Sequence, residues 1–103
     1  MQIYTHHIHV KPTEQHQDFG LVAGGHALIY TKASCVEESL TDALNYLESR
    51  HLKLAEPAEI ESSQFYESAI EDEHDLIHYQ KANLYGVALH ISYYSVPDGE
   101  TIQ

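Results

Sequence analysis

The sequence predicts an α/β (α+β) fold. We read a two-layer sandwich with a four-stranded mixed sheet and two helices on one face, ferredoxin-like in general architecture. Three observations predict it. Runs rich in β-branched and aromatic residues open and close the chain, at residues 2–11 and 87–94, with the period of two that a pleated strand imposes. A strongly amphipathic helical period follows Ser34. Strand and helix patterns then come in the order strand, strand, helix, strand, helix, strand. At 103 residues the chain has one domain's worth of length, residues 1–103, and too little for two independent cores.

The first strand ends at Pro12, which favours an extended residue before it. Its more apolar face is Tyr4, His6, Ile8 and Val10, so that face is expected to meet the core. Gly20, Gly24 and Gly25 precede a strand rather than a helix, which suits a bend or bulge and not a phosphate cradle. Residues 26–33 are apolar on both faces around Ala27, Leu28, Ile29 and Tyr30, as in a central strand. Ser34 and Glu37 form a capping-box pattern. Val36, Leu40, Ala43, Leu44 and Leu47 recur at helical spacing, and Arg50 closes the helix. Leu52, Leu54, Ala58 and Ile60 alternate weakly around Pro57; proline cannot donate to a ladder, so an edge strand or a bulge is expected over residues 52–62. The second helix is expected from Glu73 to Tyr85, with Leu76, Ile77 and Leu84 inward and Gly86 as the left-handed stop. The expected core is Val36, Leu40, Leu44, Leu47, Ile77, Leu84, Val87, Leu89 and Ile91. The tail from about residue 97, after a turn at residues 96–99, is expected to fray.

Charge excludes more than it identifies. Five Lys and Arg stand against 16 Asp and Glu, a formal net of −11, so phosphate-directed binding to nucleic acid is excluded. The longest nearly uncharged apolar run, residues 20–30, is interrupted by His26 and is too short for a membrane span. No basic region followed by an apolar one opens the chain, and its lone cysteine, Cys35, forms no internal disulfide; both point to the cytoplasm. Cys35 falls in the first turn of the first helix, where the dipole lowers a thiol's pKa, although a small buried thiol is the simpler reading. The acidic segment that begins at Glu56 and ends at Asp75 holds eight carboxylates and no Lys or Arg. Either it is a solvated face, or Glu67, Glu71, Asp72, Glu73 and Asp75 dock a basic partner.

Nine histidines supply the other candidates. His7 and His9 share one face of the first strand, and His74 and His78 stand at i and i+4 on the second helix; either spacing can share a zinc or nickel ion. The residues between His74 and His78 lack the catalytic glutamate of the His-Glu-x-x-His motif. His7, His9 and Glu14 resemble part of the first metal motif of the cupins. The upstream glycine of that motif falls on Met1, no second motif follows, and two helices do not fit its barrel. His9, Val10, Lys11, Pro12 and Phe19 resemble the opening of dimeric α+β-barrel proteins, which include small cofactor-free monooxygenases, although the glycines at 20, 24 and 25 oppose the helix expected there.

Since no nucleophile–base pair or complete metal motif is present in the sequence, the first functional expectation is an acidic, cytoplasmic, non-enzymatic protein-binding module with no cofactor. A histidine-based metal-binding protein or a small cofactor-free enzyme are the alternatives. A sheet covered on one face only leads us to expect a homodimer through the sheet or its edge.

Overall fold

The computed structural model, which describes residues 1–56 and 58–95, builds one antiparallel sheet from five strands. β1 (Gln2–Pro12) pairs with β2 (Val22–Ala33) along nearly its whole length, from Gln2↔Ala33 to Val10↔Gly25. β5 (Val87–Ser95) lies on the far side of β2, and β3 (Leu52–Leu54) and β4 (Ile60–Phe65) share the near side of β1. The expected edge strand is thus two: β3 pairs with Val10, Lys11 and Pro12, β4 with Ile3 to Ile8, and the Ala55 N–H donates to the His9 carbonyl between them. This break makes five strands where four were expected. Pro57, to which the break was attributed, lies outside the described residues, as does the expected turn and fraying beyond Ser95.

Two further expectations are corrected. All strand pairs are antiparallel, so the sheet is not mixed. The two helices lie on opposite faces, giving three layers rather than two and removing the ferredoxin-like arrangement. Helix α1 (Val36–Ser49) buries Ala43 and Leu47 against Ile8, Val10, Ala27 and Ile29. Helix α2 (Glu73–Tyr85) buries Ala82 against Ile3, Tyr30 and Ala88, on the opposite face of β1, β2 and β5. The reason is directional. β2 and the β3–β4 edge run parallel, so the right-handed rule governs the α1 crossover. β4 and β5 run antiparallel at opposite edges of the sheet, and that rule places no constraint on α2.

On the expected apolar face of β1, His6, Ile8 and Val10 are buried and Tyr4 is half-buried. Ile3 and Thr5 on the opposite face are buried as well, since both faces of the sheet carry a helix. The α1 boundaries agree within a residue, but its cap differs. Cys35, with extended backbone, is the N-cap and is exposed rather than buried, while Ser34 donates to the Glu38 carboxylate at 2.8 Å. The capping box therefore does not form, because Ser34 stands one residue too early. The helix closes at Arg50 and then His51, whose φ of 60° is left-handed.

Helix α2 has the expected bounds, and Gly86, at φ 91°, ends it. Its buried stripe differs from expectation. His78 and Tyr79 are half-buried with Ala82 inward, while Leu76, Ile77 and Leu84 are exposed. Of the expected core, Leu47 is buried, Leu40, Leu44, Val87, Leu89 and Ile91 pack against its cluster, and Val36 is half-buried outside it. The bulge also stands where the glycines predicted it, between Val22 and Gly24. A Cβ on Gly24 would lie 2.8 Å from the Val10 carbonyl oxygen and run into the Tyr94 ring, so only glycine fits there.

Candidate metal centre

Asp72 starts α2 by accepting a hydrogen bond from the Asp75 N–H at 2.9 Å, which satisfies an orphan donor of the first turn. Two turns of helix then set His74 and His78 on the stripe that faces the sheet. Strand β5 raises His90 toward them, because alternation puts it on the same face as Ala88, under α2. Candidate ligand nitrogens of His74, His78 and His90 all lie within 4.8 Å of one another.

The protonation pattern suits ligation. His78 Nδ1 lies 2.8 Å from the His74 carbonyl oxygen. A carbonyl only accepts, so Nδ1 carries the proton and Nε2 keeps its lone pair for an ion. His74 Nε2 stands 3.4 Å from His90 Nδ1. Two nitrogens on one tetrahedral zinc are about 3.3 Å apart, given Zn–N bonds of about 2.0–2.1 Å. Desolvation, then repulsion from His74 and His78, pushes the His90 imidazole below its ordinary pKa, which favours the neutral ring a metal requires. The His78 ring stacks on Tyr30, centroids 5.5 Å apart. Burial, followed by the charges of Asp75 and Asp72, pushes the Tyr30 hydroxyl up.

His7 and His9 do share a face of β1, but among the described residues no cluster of three ligand-type side chains includes either, or Glu14. His9 is held elsewhere: its Nε2 lies 2.5 Å from the Tyr94 hydroxyl, and its ring stacks on His26 at 4.8 Å. With His26, Leu28, His90, Glu59 and Glu61 they line a cleft of about 320 Å³.

The acidic candidates gather around the start of α2. Glu67 sits in a short turn of 3₁₀ helix (Glu67–Ala69), Glu71 and Asp72 precede α2, and Glu73 and Asp75 occupy its first turn. Local work accounts for two of them: Asp72 caps the helix, and Asp75 Oδ2 accepts from the Glu71 N–H at 3.4 Å. Asp72, His74 and Asp75 also bring ligand atoms within 4.8 Å of one another, so they compete for the same histidine.

Sequence reasoning found His74 and His78 through their spacing and missed His90, which joins them only once α2 crosses β5. It also missed a buried network under α1. His6 is fully buried, with Nε2 2.6 Å from the Ser39 hydroxyl and Nδ1 2.7 Å from that of Ser62; Ser39 in turn meets the Thr31 hydroxyl. Although Ser62 and His6 have the spacing of a nucleophile and its base, a serine rather than a carboxylate holds the far nitrogen. The network instead ties α1 to β1, β2 and β4.

Compared with known proteins, the chain matches no family model, no curated protein and no solved structure.

Proposed function

We propose that this protein binds a divalent transition-metal ion, zinc or nickel, through His74, His78 and His90. One observation carries the reading: three imidazoles from two different elements converge, with ligand nitrogens within 4.8 Å. An i, i+4 pair on a helix is common by chance, whereas a third imidazole from a neighbouring strand requires the fold to bring it there. Imidazole suits both ions. The positive end of the α2 dipole opposes a cation, and the carboxylates of Glu71, Asp72, Glu73 and Asp75 offset it.

Calorimetric titration with zinc tests the reading. We expect one ion per chain and a rise in melting temperature, since an ion at a hundred times its Kd stabilises the fold by about 2.7 kcal/mol. His90→Ala should abolish most of that rise, while His51→Ala, at the far end of α1, should leave it unchanged. Equal responses from the two variants contradict the site.

A second reading is favoured by the exposure of Glu67, Glu71, Asp72 and Glu73, namely docking of a basic partner on the acidic segment. Such a complex weakens steeply with added salt, whereas an imidazole–metal bond does not.

We also infer self-association into a homodimer. Among the described residues β5 pairs on one side alone, with β2, and its nine residues contain no proline, lysine or carboxylate. Such an unguarded edge pairs readily, here with β5 of a second copy.

A further inference from the structure

Resting on the three-histidine reading, a second question is whether the ion would be enclosed or accessible. Structural zinc sites are closed by four protein donors, whereas sites that work on ligands have three and hold water at the fourth. His74, His78 and His90 supply three. The carboxylates grouped with His74, those of Asp72 and Asp75, each accept a backbone N–H bond, from Asp75 and Glu71 respectively.

His90 belongs to two places at once. It closes the metal triad, and it also lines the cleft of about 320 Å³ formed with His7, His9, His26, Leu28, Glu59 and Glu61. The β5–β2 register sets Leu28 directly beside His90, and the β2–β1 register sets His7 directly beside Leu28. The cleft therefore begins at the metal ligand itself and runs from β5 across β2 and β1 to Glu61 on β4.

We propose that the ion keeps one exchangeable coordination position opening on this cleft, where it takes water or a small monodentate anion. The imidazoles of His7 and His26 supply hydrogen-bonding partners at its rim, while His9 is occupied by Tyr94. Besides His90, the lining carries three imidazoles, His7, His9 and His26, together with the carboxylates of Glu59 and Glu61.

The experiment uses cobalt(II) in place of zinc, because its visible absorption reports coordination directly, and sodium azide as the anion. Cobalt is expected to bind the full-length chain with an intense visible band, and azide to shift that band saturably. Leu28→Trp adds bulk to the cleft beside His90 and replaces no ligand. It should weaken azide at least tenfold while cobalt still binds, with circular dichroism confirming that the variant is folded. A cobalt spectrum indifferent to azide shows a closed site and overturns this proposal while leaving the three-histidine reading intact. An azide response undiminished in folded Leu28→Trp overturns the assignment of the open position to the cleft. Absence of any cobalt binding overturns both this proposal and the reading beneath it.

Discussion

His74 Nε2 lies 3.4 Å from His90 Nδ1, although sixteen residues separate them in sequence. One ring rides on the first turn of α2 and the other on the middle of β5, and they meet edge to face with centroids 4.6 Å apart. Their approach depends on where α2 begins. That gives the Asp72 cap a part in the site as well as in the helix.

Asp72→Ala removes the acceptor for the Asp75 N–H. Losing such a cap costs about 0.5–2 kcal/mol, so the midpoint of urea unfolding should fall accordingly. The frayed first turn should also weaken zinc, because His74 moves with it. Asp72→Asn keeps a capping oxygen and should restore most of the stability.

The buried His6 makes stability depend on pH. Burial holds its imidazole below the ordinary value of 6.5, so over that interval the unfolded chain takes up a proton that the folded chain refuses. The contribution is therefore complete above pH 6.5 and declines as the pH falls through 6.5 toward the lowered folded value. Melting temperatures measured from pH 8 to pH 5 in metal-free buffer should show this decline. His6→Gln should flatten the curve in that interval, and an unchanged slope would place the dependence elsewhere.

Gly24→Ala should destabilise the chain by about 1–3 kcal/mol, the usual cost of overpacking, because the added methyl meets the Tyr94 ring and the Val10 carbonyl. Combining it with Tyr94→Ala should recover part of the loss. Strict additivity in that double-mutant cycle would separate the two residues.

Light scattering should give twice the 11.7 kDa chain mass at micromolar concentration, with β5 pairing to β5. Ser92→Lys, on this edge strand, should return the monomer. The net charge of −11 repels the copies, so added salt should favour the dimer. A monomer at every salt concentration contradicts the edge pairing.

Legibility in the sequence followed locality. The bounds of α2 and its Gly86 stop, the pattern of β1 and β5, and the His74–His78 pair are written within a few residues of one another. The face taken by α2 is not, because antiparallel strands at opposite edges leave its side unconstrained. That same choice of face decides the site, for it alone brings His90 beneath His74. It also misdirected the inward stripe. Leu76, Ile77 and Leu84 look like core by size, yet α2 meets the sheet through Tyr79 and His78 against Phe65 and Tyr30, with Ala82 giving the close approach. His7 and His9 were legible as neighbours on one face, but Tyr94, eighty-five residues from His9, could not be seen to occupy one of them.

X-ray absorption at the zinc edge of the loaded protein tests the central claim most directly. Three imidazole nitrogens at about 2.0–2.1 Å, falling to two in His90→Ala, is the result the three-histidine centre predicts. A shell of oxygen donors alone, or one unchanged by His90→Ala, would contradict it.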